Sequence, residues 1–338
     1  MIGRMRVPYP ELHDVLRRAL EKTGLAPDRA DLCARLIADS SRDGVHSHGV
    51  NLFPRLIRMI RAGVVNVAVR PSRVSAHGSI ERWDGARGVG ALNAHHSMAT
   101  AIALARAHGI GCVALANTNH WMRGGTYGWQ AAEAGVIGVC WTNTLPNLPP
   151  WGASEPRIGN NPLVIAIPRS GGHVVLDMAL SQFSYGALAQ YRTRGELLPV
   201  PGGFDTRGEL TRDPAEIEAS RRPLPIGFWK GSGLSIALDM IAAVLCEGRA
   251  THQVPATPEG ETALSQVFIA LDIASLSDPA ATNRIVDAIV EDLRSRPTGG
   301  DRIRYPGERT LETRRQNLVQ GIPVDPSVWE LVQQAATA

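Results

Sequence analysis

Residues 91–117 read ALNAHHSMATAIALARAHGIGCVALAN. From Ala91 to His108 the residues are mostly small and apolar, with no glycine or proline, which predicts a long helix. From Gly111 to Asn117 the run turns β-rich and apolar, which predicts a strand. Between them lies Gly109-Ile110-Gly111-Cys112-Val113-Ala114, the nearest approach in the chain to the dinucleotide fingerprint GxGxxG. That fingerprint works where a strand ends and a helix begins, because its glycines let backbone amides approach a pyrophosphate. Here a helix precedes and a strand follows. The segment therefore reads as a helix stop, and a Rossmann nucleotide fold is not indicated. Walker A and GxSxG patterns are also absent.

Strands are expected at Val74 to Trp83, Val136 to Thr142, 163–168, 173–178 and 265–272. Helices are expected at 126–134, 183–194, 232–247 and 280–296, so the middle of the chain alternates as an α/β sheet does. The stretch 198–231 is rich in Pro and Gly and reads as a long irregular excursion. Helical stripes such as Leu12, Val15, Leu16, Ala19 and Leu20, then Leu52, Phe53, Leu56, Ile57 and Ile60, mark 1–70 as a helical lobe. Helices in 308–338 are expected to join it, leaving 71–307 as the α/β lobe.

Thirty-five basic and 32 acidic residues leave a net charge of +3, with no sign of a nucleic-acid or membrane-surface partner. Lysine occurs only at Lys22 and Lys230, which makes Lys230 notable. Cys33, Cys112, Cys140 and Cys246 are scattered in apolar stretches, as buried thiols of a cytoplasmic protein would be. The N-terminus has no apolar signal segment, and the apolar run Leu234 to Cys246 is short for a bilayer and contains Asp239.

Four constellations carry chemistry. Asp43-Gly44-Val45-His46-Ser47-His48-Gly49-Val50-Asn51 places a hydroxyl and two imidazoles in a glycine-bounded turn between helices. Imidazole exchanges a proton near neutral pH at little cost. Asn117-Thr118-Asn119-His120-Trp121-Met122-Arg123-Gly124-Gly125 follows a strand; it fits a phosphate-cradling turn or a plain turn around a core Trp. Asp177 ends a strand, where it either caps a helix or orients an imidazole and raises its pKa. Trp229-Lys230-Gly231-Ser232-Gly233 opens a helix, where Lys230 either faces solvent or adds charge to an anion site. His46, His48, His120 and Asp177 would alternatively be a metal shell, as in a metal-dependent lyase.

Taken together, the Ser-His-Gly turn, NHWMRGGTYGWQAAE, WTNTLPNLPPWGA with RIGNNP, LDMALSQFSYG and GFWKGSGLSIALDMIA occur in an order that resembles the malate/L-lactate dehydrogenase family, over about residues 10–330. The resemblance implies a non-Rossmann α/β fold of the sulfolactate/malate dehydrogenase kind: a mixed sheet with helices plus a helical lobe from both termini. It implies a homodimer that uses NADH or NADPH, holds no metal, and reduces a small 2-oxo acid or a cyclic imino acid. By position, His48 matches the family's proton donor, and Ser47 and Asp177 the groups relayed to it. Cofactor-binding positions match His120, Trp121, Met122, Arg123 and Gly124; His173, Val174, Val175, Leu176, Met178 and Ala179; Trp229 and Lys230; and Gly307, Glu308 and Arg309. Such a site would give a cationic His48, raised by Asp177, to protonate the oxygen that hydride addition leaves charged. Two positions depart from the pattern. Leu52 stands where the family often has an arginine for the substrate carboxylate, and Asn160 in Gly159-Asn160-Asn161-Pro162 stands where it usually has threonine. Arg55 or Arg123 would then compensate as the carboxylate anchor, or the substrate differs. With both positions altered, a non-catalytic binding protein is a third reading.

Overall fold

The computed structural model describes residues 5–258, 260–295 and 303–337. Gly109 is left-handed (φ +85°) and ends the helix Gly90–His108, its N–H returning to the Ala105 carbonyl at 2.6 Å. Gly111 lies in the strand Ile110–Thr118, where a Cβ would come within 2.6 Å of the Leu104 side chain and 2.8 Å of the Ala105 nitrogen. The two glycines thus serve chain reversal and close helix–strand packing.

That strand belongs to a seven-stranded sheet in the order Ser72–His77, Ile80–Asp84, Ile110–Thr118, Leu264–Leu271, Ile137–Thr142, Leu163–Ile167, Val174–Met178. The one parallel pair is Ile80–Asp84 with Ile110–Thr118, Ile80 opposite Cys112. Every other neighbouring pair is antiparallel. A mixed sheet of this kind has no parallel βαβαβ half, so it lacks the crevice that a doubly wound sheet offers a dinucleotide.

Both faces are covered, which explains why Leu264–Leu271 reads LSQVFIAL with little polar alternation. On one face Phe268 packs with Met98, Val113, Leu115 and Tyr127, under the helices Gly90–His108 and Gly125–Glu133. On the other, Val267 and Trp141 pack with Leu238, Ala242 and Cys246 of the helix Trp229–Cys246. Each Val, Leu, Phe or Met among them contributes about 1.5–3 kcal/mol on burial. Trp229–Cys246 is long and apolar enough to cross a bilayer by length and composition. Here it lies on the sheet, its Leu238 carbonyl accepting from the Trp141 indole and its Asp239 accepting from Asn143 and Thr251.

The helices Tyr9–Lys22, Pro27–Arg42 and Phe53–Arg61 share one apolar cluster with Pro326–Thr337, through Leu16, Ile37, Phe53 and Trp329. Met5–Val7 pairs antiparallel with Ile322–Val324, tying the two ends of the chain together.

Three expectations are corrected. Val74 to Trp83 is not one strand but a hairpin, turned at Gly78-Ser79 (Gly78 φ +58°), a pair of the kind that two-residue hairpin loops use. The excursion 198–231 contains the strands Gly203–Phe204 and Leu210–Thr211 and the helix Pro214–Ser220, whose Ile217 forms a small core with Leu188 and Leu198. The helix expected from Ser232 begins at Trp229, after Phe228 in a left-handed conformation (φ +58°).

Candidate active site

Helix Pro27–Arg42 stops before Gly44 (φ +85°), and the chain makes a 3₁₀ turn over His46–His48 before Val50–Leu52 leads into Phe53–Arg61. A Cβ on Gly49 would collide with the Ser41 side chain and lie 2.9 Å from the Ser41 nitrogen. Glycine is therefore needed for the turn to sit against its own preceding helix, where the Val50 N–H donates to Ser41 Oγ at 2.8 Å. The turn presents Ser47 Oγ 3.0 Å from His48 Nδ1. The His48 ring stacks on His120 at 5.8 Å.

His48 and Ser47 open onto a cavity of about 360 Å³. His120 to Gly124, Thr144, Asn147, Asn160, Asp177, Ala179, Tyr185 and Glu261 line it with them. The turn carrying His120 satisfies both of its sequence readings at once. Trp121 is buried in the core against Tyr127 and Phe268, while its neighbours His120 and Arg123 reach the cavity. Met122 is left-handed (φ +66°), and its N–H donates to His120 Nδ1 at 3.0 Å. That contact uses Nδ1 as an acceptor, so the proton of a neutral His120 sits on Nε2.

Arg123 is buried, its Nη1 2.7 Å from Asp43 Oδ2 and its Nε 3.7 Å from Asp177 Oδ2. Asp43 also accepts two 2.8 Å bonds from Arg314 and one of 3.0 Å from Arg42. Asp177 Oδ2 takes the Gly125 N–H at 2.9 Å, so it caps the helix Gly125–Glu133 and faces the cavity together. His48 lies below its ordinary pKa, because burial disfavours the cation; Asp177 pulls upward and Arg123 downward. The expected rise from Asp177 is present but smaller than the desolvation that sequence reading did not count. Burial, with the charges of His48 and Arg55, takes His120 to about 3.

Other expected residues fall elsewhere. Leu52 packs against the helical cluster, and with Arg55 it lines a narrow slot behind His120 and Met122 rather than the cavity. His173 packs on Trp129, accepts the Arg169 N–H through Nδ1, and lines a separate cavity of about 600 Å³. Val174, Val175, Leu176 and Met178 form the edge strand; the Val175 N–H donates to Pro306, and Gly307 (φ +95°) lies against that backbone. Glu308 is buried and takes a 2.7 Å bond from Arg294, whereas Arg309 is exposed. Trp229, 66% exposed, and Lys230 lie on the surface in the first turn of their helix. Among the described residues no group of three or more His, Cys, Asp or Glu is placed to hold a metal, which removes the geometric basis of the lyase reading.

A family model described as malate/L-lactate dehydrogenase matches residues 7–333. This chain belongs to that family. A 2,3-diketo-L-gulonate reductase from Citrobacter koseri is 46% identical over 331 residues, 97% of this chain and 99% of that one. Among solved structures, sulfolactate dehydrogenase from Methanocaldococcus jannaschii superposes with a TM-score of 0.92 at 27% identity, covering 98% of this chain and 97% of that one. The Δ1-piperideine-2-carboxylate reductase from Pseudomonas syringae gives 0.87 at 28% identity, over 98% and 99%. This member of the malate/L-lactate dehydrogenase family is thus an oxidoreductase of hydroxy and oxo acids, on the sulfolactate/malate dehydrogenase-like fold that its motifs imply. Sequence reading passed over Glu261. Asp43, Thr144, Asn147 and Tyr185 stood within quoted stretches without being singled out. Glu261 has no local signal; only the fold brings it to the cavity.

Proposed function

We propose that this oxidoreductase reduces the oxo group of a small 2-oxo acid of the 2,3-diketo-L-gulonate kind, using NADH or NADPH, with His48 as proton donor. The observation that carries it is Ser47–His48 and Asp177 converging on one cavity of about 360 Å³, in a chain 46% identical to a diketogulonate reductase over nearly its whole length.

The residues present fit a nicotinamide and a small acid. The cavity lies in the size range of small-molecule sites. Asn160 Oδ1 is taken by Thr144 and Asn147, which leaves its Nδ2 with no protein partner among the described residues. That amide is assigned to the substrate, whose carboxylate needs several donors now that Leu52 and Arg55 lie off the cavity. The remaining cofactor contacts are assigned to Arg123 and Gly124, the strand from His173 to Ala179, Gly307 to Arg309, and Trp229-Lys230. The charge of Lys230 at a helix N-terminus favours an anion there. When bound, the nicotinamide supplies the hydride. His48 does the proton work. Its Nδ1 is held by Ser47, so its Nε2–H is free to donate to the oxygen on which negative charge develops. Asp177 favours the cation that does this.

The reading includes a homodimer in the cytoplasm. Met240 (62% exposed) and Val244 (74%) leave an apolar stripe on the helix Trp229–Cys246 for a second copy to cover. All four cysteines are buried and free. A second reading, reduction of the C=N bond of a cyclic imino acid, draws on the likeness to the piperideine-carboxylate reductase and on Leu52.

Absorbance at 340 nm, with NADH and NADPH against a panel of 2-oxo acids and cyclic imino acids, tests both. Turnover of 2-oxo acids supports the first reading, turnover of imines alone the second, and turnover of neither defeats both. The pH profile tests His48. Reduction needs its cation, so kcat/KM should fall as pH rises, with an apparent pKa below 6.5, because burial lowers it. Asp177→Asn removes the upward pull and should move that limb to lower pH. A limb that does not move removes Asp177 from the relay.

A further inference from the structure

Glu261 is 8% exposed and lines the same cavity as His48. Its strand Gly260–Glu261 pairs with Ala256–Thr257. One carboxyl oxygen, Oε2, accepts the Leu145 N–H at 3.0 Å. The other has no protein partner among the described residues. Burial pushes the carboxyl above its ordinary pKa, with the Leu145 bond and the Arg55 charge opposing. That oxygen faces the cavity, and a ligand that displaced water there without a hydrogen bond would leave it unpaired at a cost. The same short segment fixes Asn160: Thr144 and Asn147 hold Asn160 Oδ1, while Leu145 holds Glu261. Residues 144–147 therefore hold two unfilled polar positions in the cavity lining, one amide and one carboxyl oxygen.

An amide donor suits the substrate's carboxylate or oxo oxygen. A carboxyl oxygen suits a hydroxyl, which donates and accepts, so the match holds whether or not Glu261 carries its proton. An alkyl chain at that position would leave Glu261 unpaired.

We propose that Glu261 is a specificity-determining residue that hydrogen-bonds a hydroxyl of the substrate beyond its reacting carbon, so that the enzyme selects hydroxylated 2-oxo acids over alkyl ones. This rests on the proposed 2-oxo acid reduction and adds a residue and a selection rule to it.

The test compares kcat/KM for a polyhydroxylated 2-oxo acid and for an alkyl 2-oxo acid of equal chain length. The wild type is expected to prefer the hydroxylated acid by at least about 100-fold, a site built for a hydroxyl rejecting its absence by up to about 10⁴–10⁵. Glu261→Leu should bring the ratio below about tenfold, the hydroxylated acid losing far more than the alkyl one. Glu261→Gln, which still bonds a hydroxyl and accepts from Leu145, should keep most of the preference. An unchanged ratio in Glu261→Leu, or an equal loss on both acids, overturns the proposal and leaves the reductase reading standing. Wild-type failure to oxidise NADH or NADPH with any 2-oxo acid defeats the reading itself. Thermal stabilisation by gluconate then decides Glu261: it is expected in wild type and Glu261→Gln and lost in Glu261→Leu, and its absence from wild type overturns the proposal.

Discussion

His48→Ala is expected to lower kcat for 2-oxo acid reduction by about 10²–10⁴-fold, the range for removal of a positioned general acid, while cofactor affinity and the far-UV spectrum stay as in the wild type. Two imidazoles reach the cavity, and the structure separates their roles. His120 is taken to about 3, and its Nδ1 is occupied by the Met122 N–H, so it stays neutral at working pH. His48 is also lowered by burial, but Asp177 pulls it back, and its Nδ1 partner is a hydroxyl that can accept from the cation as well as donate to the neutral ring. His120→Ala should therefore leave the basic limb of the pH profile in place, and His48→Ala should remove it from whatever activity remains. Steady-state rates across pH 5–9 for both variants provide the check. A His48→Ala enzyme within about tenfold of wild type would remove His48 from the proton-donor role, since even the weakest general acids contribute about 10².

The comparison of the two histidines also shows what a sequence makes legible. Their presence at a turn is visible from glycines and polar residues; their pKa values are not, because these depend on burial by segments far along the chain. The same division runs through the fold. Helical stripes such as Leu12 to Leu20 are set by a period of 3.6 within one segment, and the helix is found there. The reversed context of Gly109–Ala114 was likewise local and excluded a nucleotide turn. The hairpin at Gly78-Ser79 carries a local signal too, a Gly-Ser pair between two short strands, which a single strand over Val74 to Trp83 overlooks. Pairing of Met5–Val7 with Ile322–Val324 joins segments at opposite ends of the chain, and no window of sequence contains both. Glu261 shows the limit most plainly. It approaches the site through the Leu145 amide, 116 residues away, and the sequence Glu259-Gly260-Glu261 carries no mark of that.

Asp43 belongs to the same class of residue, and its removal is expected to have the largest effect on stability. Asp43 lies 80 residues from Arg123 and 271 from Arg314, yet it holds both. Arg123 is as buried as Asp43, at 5% exposure each. Asp43→Ala would leave the Arg123 guanidinium in the protein interior with only Asp177 nearby, at 3.7 Å. Removing one partner of a buried pair costs about 3–5 kcal/mol, because the other charge stays desolvated. Urea unfolding at pH 7 measures this as a lower midpoint with unchanged slope. Asp43→Asn, which keeps an acceptor but no charge, should lose less. The pH dependence has a definite sign. Burial alone would raise the Asp43 carboxyl, but the Arg314 hydrogen bond and the charges of Arg123 and Arg42 outweigh it and hold the carboxyl below its usual value. A carboxyl lowered on folding stabilises above its unfolded pKa of about 3.9, and loses that contribution as pH falls through the folded value. The stability gap between wild type and Asp43→Ala should thus be constant from pH 7 to about 5 and narrow below about 4. A gap of less than 1 kcal/mol at pH 7 would mean that water reaches Arg123 and relieves it, and one that widens in acid would mean that folding raises the Asp43 pKa instead of lowering it. The same substitution has a functional arm. With Asp43 gone, Asp177 becomes the one carboxylate near Arg123, and the closer their pairing, the less of its charge is left to favour the His48 cation. Asp43→Ala should therefore shift the basic limb of kcat/KM to lower pH, in the same direction as Asp177→Asn, although Asp43 does not line the cavity.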